Sequence, residues 1–193
     1  MLTSATDKIT KKLEKQGLFE SDEREIYLYG VQHGLFLLLN ISTMAIIGVV
    51  SGAFTHVAIF LLAYMPLRSY AGGYHAKTHV KCYVASNAMV LAVAMFSVHI
   101  NVSGEILVAM LIIFGIIIMA LSPVGTKYKH LDKLEVDVYG RKARVICVLE
   151  LLIALFFLFI NVPIITTGIF WAFVMVVLLL LLEKFISGRH EAV

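Results

Sequence analysis

The sequence predicts an all-α integral membrane protein: six transmembrane helices, an N-terminal amphipathic helix in the interface, and both termini on the cytoplasmic side. Three observations predict it. Of 193 residues, 60% are hydrophobic and only 15% are charged, where a soluble domain carries roughly 25% charge. Six helices of about 20 residues, each long enough to cross a bilayer, would use about 120 residues, close to the apolar count. Apolar runs separated by short polar breaks supply the second observation, and the placement of the cations supplies the third. A soluble enzyme fold is excluded, because so few charges leave too much apolar surface uncovered.

Taken in order, residues 1–25 come first. MLTSATDKITKKLEKQ is polar and lacks an apolar core, so it does not read as a cleaved signal peptide. Ile9, Leu13 and Leu18/Phe19 recur at helical spacing with lysines on the other faces, the pattern of a helix lying in the interface. A solvated tail is the competing reading. The spans follow at about 28–50, 54–67, 83–100, 106–121, 145–160 and 164–182. The second is short and ends in Pro66, which predicts a tilted, broken or partly re-entrant segment. The leucines at 178–182 read as lipid-facing filler. Without a repeat, a low-complexity tract or a linker, residues 1–193 read as one membrane domain.

The cations fix the orientation. Lys8, Lys11, Lys12, Lys15 and Arg24 precede the first run, and Arg68, Lys77 and Lys81 lie between the second and third. Lys127, Lys129, Lys133, Arg141, Lys142 and Arg144 lie between the fourth and fifth. Lys184 and Arg189 follow the sixth, which completes all 16 lysines and arginines. The connections at 51–53, 101–105 and 161–163 hold none. Positive charge is retained on the cytoplasmic side, so the large loops and both termini face the cytoplasm of a multi-pass cell-membrane protein. The two cysteines, Cys82 and Cys147, do not amount to a disulfide framework.

Chemistry concentrates in residues 68–82, where Arg68, Gly72-Gly73, His75, His79 and Cys82 fall within fifteen positions. Polar residues at a membrane edge are functional candidates by default, and Gly-Gly permits close backbone approach. A cysteine nucleophile needs a base to take its proton. On one continuous helix His75 and Cys82 would share a face but stand about 10.5 Å apart along the axis, so a dyad of these two predicts a bend between them. His79, one turn before Cys82, is the alternative base. The trio His75, His79 and Cys82 also has zinc-ligand chemistry, but no HExxH occurs and no fourth ligand is evident, so neither a metal nor a cofactor is expected. Spacing alone leaves the choice between the histidines open.

An oxyanion would need donors, and the Cys82 backbone N–H, Arg68 and Gln32 are the candidates. Gln32 has an interhelical hydrogen bond as its plain reading. Glu150, the carboxylate inside a span, is expected to pair with Arg68 or a loop lysine. Cys147 reads as a buried hydrophobe, and His33 as an interface histidine.

Pro66-Leu67-Arg68, Ala71-Gly72-Gly73-Tyr74-His75-Ala76 and Cys82 together resemble the signature of the accessory gene regulator B (AgrB) family of membrane cysteine endopeptidases. Gly30 and Gln32 at the head of the first span, and Ser122-Pro123 with Lys127 and Lys129 entering the second large loop, extend the resemblance. It implies His75 and Cys82 as the catalytic dyad, with Arg68 and Gly73 supporting it. It also implies a Gram-positive quorum-sensing role with a short propeptide as substrate: an amphipathic leader, a Cys- or Ser-containing core and an acidic tail. The loop around Lys127 and Lys129 carries net positive charge suited to that tail, although the positive-inside rule alone accounts for it. A homodimer is a further implication; nucleic acid is not an expected partner. The competing class is a small transporter or exporter subunit, which would place polar groups at mid-membrane or show inverted repeats.

Overall fold

The computed structural model describes residues 2–19, 21–74, 78–99, 103–125 and 132–191. Among them the regular elements are all helices. The helices are α1 (Leu2–Lys15), α2 (Arg24–Val50), α3 (Phe54–Ala71), α4 (His79–His99), α5 (Gly104–Leu121), α6 (Lys133–Phe159) and α7 (Pro163–Glu191), with a 3-10 turn at Ser21–Glu23. Four of them are long and apolar enough to cross a membrane: Arg24–Val50, Val80–His99, Gly104–Leu121 and Pro163–Ile186. The other two expected spans are helices of a different composition. α3 ends in Arg68-Ser69-Tyr70-Ala71, and α6 carries Lys142, Arg144 and Glu150 among its apolar residues.

The chain divides into two compact units, residues 1–44 and 45–193. In the first, α1 forms as the N-terminal pattern predicts. Its covered face, however, runs through Thr6 and Thr10, while Ile9 and Leu18 stay open. Thr10 can be buried because its hydroxyl donates to the Thr6 carbonyl at 2.9 Å, which satisfies the polar group within the helix. The turn after α1 is held by Phe19 stacked on Tyr27 at 4.1 Å. Arg24 adds partly exposed ion pairs to Asp7 and Glu14 at 3.5 and 3.8 Å, of a kind worth up to about 1 kcal/mol.

The second unit is a helical bundle in which α7 packs against α3, α5 and α6. Its seams can be read from spacing. Val57, Phe60, Ala63, Leu67 and Ala71 form the buried stripe of α3, and Leu107, Leu111, Gly115 and Ile118 that of α5. On α6 the stripe is Gly140, Ala143, Cys147, Glu150 and Ala154. Steps of three and four put each set on one helix face, and the small residues allow the close backbone approach that membrane helices use in place of a hydrophobic driving force. Gly168 of α7 shows why: a Cβ there would stand 2.5 Å from the Ile59 side chain of α3.

Several boundaries differ from the expected ones; α2 begins at Arg24 rather than 28, and α7 runs to Glu191 rather than 182. The second span is not cut at Pro66 but continues to Ala71. Pro66 and Leu62, whose carbonyl loses its donor, both lie on the exposed face, so the missing bond and the ring's bulk fall outside the packed seam. α4 begins at His79 rather than 83, and α6 begins at Lys133 rather than 145. Glu135 starts α6 by accepting a hydrogen bond from the Asp132 N–H at 3.2 Å, half of a capping box. Arg141, Lys142 and Arg144 are therefore helical residues, and Lys142 sits over the Tyr70 ring at 4.9 Å.

Candidate active site

Arg68 stands in the last turn of α3, where helix carbonyls run out of intrahelical partners. Its guanidinium turns back over the following residues. Nη1 donates to the Gly72 carbonyl, and Nη2 donates to the carbonyls of Gly73 at 3.1 Å and Tyr74 at 2.6 Å. One side chain thus gathers three successive carbonyls and fixes the turn that leads towards His75.

The turn is fixed from its other side too. Val124 N–H donates to the Ala71 carbonyl at 2.9 Å, and Gly73 N–H donates to the Val124 carbonyl at 3.3 Å. Tyr74 N–H reaches the Leu179 carbonyl of α7 at 3.1 Å. Gly72 and Gly73 have φ of 77° and 108°, a region that strongly favours glycine. A Cβ on Gly72 would overlap the Val124 carbonyl oxygen, and one on Gly73 would stand 3.1 Å from the Leu179 carbonyl group. The Gly-Gly pair is therefore required twice, by backbone angle and by space.

Cys82 lies in the first turn of α4 and is exposed. Thr78 caps this helix: its Oγ1 accepts from the Lys81 N–H at 3.2 Å, and its carbonyl accepts from the Cys82 N–H at 3.0 Å. The second bond corrects one expectation. The Cys82 backbone N–H is already engaged as the first rung of the helix and is not a free oxyanion donor.

Arg68 and Cys82 line one cavity of about 190 Å³, together with Tyr64, Tyr74, Ser86 and the apolar side chains of Ala85, Met89 and Leu179. Tyr64 lies one turn before Arg68 and interacts with its guanidinium. Sequence reasoning missed Tyr64 because it placed Pro66 as a helix end; the four-residue step from Tyr64 to Arg68 was the available signal. A second cavity, of about 320 Å³, is larger but contains no cysteine; His56, Ser97 and Trp171 are among its lining residues.

The remaining expected residues are placed as follows. His75, Lys127 and Lys129 lie outside the described residues, and so does the His79 side chain, although its backbone opens α4. Gln32 is a half-buried residue of α2 in the first unit, and His33 of that helix stacks on Tyr29. Cys147 is fully buried, as expected, with Sγ 3.8 Å from the Gly115 carbonyl. Glu150 is buried; among the described residues one of its carboxylate oxygens has no hydrogen-bond partner, and the Arg68 guanidinium is directed at carbonyls of the turn rather than at it. Among the described residues no group of three or more His, Cys, Asp or Glu could hold a metal ion.

Comparison with known proteins gives this turn its context. The family model described as accessory gene regulator B matches residues 6–182. The chain belongs to that family. It is 27% identical over 124 residues to the accessory gene regulator protein B of Staphylococcus intermedius, covering 64% of this chain and 60% of that one. To the accessory gene regulator protein B of Staphylococcus aureus it is 28% identical over 115 residues, 60% of each chain. An AgrB-like protein of Clostridium perfringens is 25% identical over 136 residues, 67% of this chain and 64% of the relative. The chain thus spans about three fifths of the length of these relatives. No solved structure matches. The apolar helices and the family together identify a membrane protein.

Proposed function

We propose that the protein is a membrane-embedded cysteine endopeptidase of Gram-positive quorum sensing. It removes the C-terminal tail of a short autoinducer propeptide and closes the core into a thiolactone or lactone ring. The observation that carries this reading is the exposed Cys82 thiol at the capped start of α4, sharing a cavity with Arg68. Arg68 in turn holds the carbonyls of the Gly72–Tyr74 turn immediately before His75.

In this scheme His75 takes the proton of Cys82, and the thiolate attacks the carbonyl at the end of the peptide core. The C–N bond then breaks, and His75 returns the proton to the leaving amine of the tail. The product is an acyl-enzyme thioester on Cys82. Attack by the substrate's own Cys or Ser closes the ring and restores the Cys82 thiol; attack by water would give a linear peptide. Ring closure therefore requires that water be excluded, for which the apolar wall of Ala85, Met89 and Leu179 is suited.

Six spans with α3 and α6 included, an N-terminal helix in the interface and a cytoplasmic site complete the proposal. All 16 cations lie before the first apolar run, between the second and third, between the fourth and fifth, or after the sixth, the pattern that retention of positive charge on one side produces. Lys127 and Lys129 would attract the acidic tail, and Gln32 belongs to the supporting set. A homodimer remains part of the reading through the family alone. The test is tail release from the cognate precursor by the full chain in lipid. Cys82→Ala and His75→Ala should each abolish it, leaving less than about a thousandth of the wild-type rate; cleavage retained in Cys82→Ala sinks the scheme.

A further inference from the structure

We propose that the Tyr64 hydroxyl is a catalytic hydrogen-bond donor, stabilising the oxyanion that forms when Cys82 attacks a carbonyl. The inference rests on the peptidase reading above and adds to it a residue that the motif does not contain.

The need for such a donor follows from α4. Attack by a thiolate on an amide places a full negative charge on the former carbonyl oxygen, and water-excluded sites stabilise it with donors already in place. In many cysteine sites the nucleophile's own N–H is a natural donor. Here that N–H is engaged by the Thr78 carbonyl at 3.0 Å. The charge is then left to the polar side chains that line the cavity, those of α3 forming a wall separate from α4.

Tyr64 is on that wall. It lines the same cavity as Cys82 and lies within electrostatic reach of it. Its ring is held by stacking on Phe60, with centroids 5.2 Å apart, and Phe60 is fully buried in the bundle seam. Arg68 lines the same cavity one helical turn further along α3, and its guanidinium interacts with the phenol. Because Arg68 has only donors to offer, any hydrogen bond between the two uses the Tyr64 oxygen as acceptor and leaves its O–H proton to donate elsewhere. A donor whose oxygen accepts from a cation is polarised and strengthened. Arg68 is itself fixed through the carbonyls of Gly72, Gly73 and Tyr74, so the phenol rests on a braced support. Ala85, Met89 and Leu179 make the rest of the cavity apolar, which raises the worth of a hydrogen bond to developing charge.

The step balances without a co-reactant. A bond forms between Cys82 Sγ and the carbonyl carbon, and the C=O π pair moves onto oxygen. Tyr64 donates a hydrogen bond to that oxygen and keeps its proton. When the pair returns, the C–N bond breaks and the amine leaves with the proton carried by His75.

Two reactions of the same thiol separate this role from a structural one. Acylation by p-nitrophenyl acetate passes through an oxyanion; alkylation by iodoacetamide, a displacement at a saturated carbon, does not. Both are followed at Cys82 by peptide mass mapping of the full chain in lipid nanodiscs. Tyr64→Phe, which retains the ring and its stacking, should slow acylation by about a hundredfold and leave alkylation within about twofold of wild type. Tyr70→Phe, a hydroxyl removed from the same helix outside the cavity, should match wild type in both reactions. Equal acylation of wild type and Tyr64→Phe overturns the proposal. So does a parallel fall in acylation and alkylation, which would mean that Tyr64 only holds Cys82 in place. A wild-type chain that is not acylated at Cys82 overturns the peptidase reading, and this inference falls with it.

Discussion

The two cysteines have the same side chain and opposite surroundings. Cys82 occupies the first turn of a helix, is exposed, and looks into a cavity with a guanidinium and two phenols. Cys147 is midway along α6, fully buried in a stripe with Gly140, Ala143, Glu150 and Ala154, and its Sγ lies 3.8 Å from the Gly115 carbonyl. The mid-helix position of Cys147 serves packing. The ends, where backbone groups lack intrahelical partners, gather the polar side chains. Between these two cysteines, exposure follows position along a helix rather than residue type.

That contrast can be broken in three ways, in order of expected effect. Labelling with a charged maleimide in lipid is the most direct. Cys82 should react at least about a hundredfold faster than Cys147, which becomes accessible only when the bundle opens; comparable rates would remove the distinction. The next is Gly72→Ala. A side chain at φ of 77° whose Cβ overlaps the Val124 carbonyl should cost about 2 kcal/mol or more. Thermal unfolding should show that loss, with Cys147 still protected because the seam does not include the turn. Unchanged stability in Gly72→Ala would show that the pairing of Gly72 with Val124 is dispensable. The smallest is Thr78→Ala, which removes the side-chain cap of α4 and should cost about 1 kcal/mol. Its mark should be faster hydrogen exchange of the Lys81 amide, without change near Cys147. An unaltered Lys81 amide would mean that the cap contributes nothing.

Legibility divides along the same line. Mid-helix residues announced themselves: the apolar runs read at 106–121 and 164–182 lie within the helices Gly104–Leu121 and Pro163–Ile186, and the burial of Cys147 follows from spacing. Helix ends were harder, because they are decided by local hydrogen bonds that apolar counting does not register. Pro66 argued for a break, but the stripe from Val57 to Ala71 carries α3 past it, with the proline on the open face. Asp132 and Glu135, spaced as a capping box, were the missed sign that α6 starts twelve residues before its apolar run. At the site, the cluster of Arg68, Gly72-Gly73 and Cys82 was visible as a motif. What the motif did not disclose was that Arg68 would reach three carbonyls, since that depends on where α3 stops. Nor did it indicate Tyr64, which joins the site only once the helix is known to run unbroken through Arg68.

The bond from the Tyr74 N–H to the Leu179 carbonyl has a consequence for how this chain can change length. α7 begins at Pro163 and meets the turn sixteen positions later. One residue inserted or deleted between those points rotates everything beyond it by about 100° and shifts it by about 1.5 Å. The Leu179 carbonyl would then leave Tyr74, and a side chain would swing into the space that Gly73 keeps clear. No single-residue insertion in that stretch is silent, whereas four residues, close to one whole turn, restore most of the phase but not the height. The glycine turn and the final helix are thus locked in helical phase, and changes of length have to be absorbed outside that stretch.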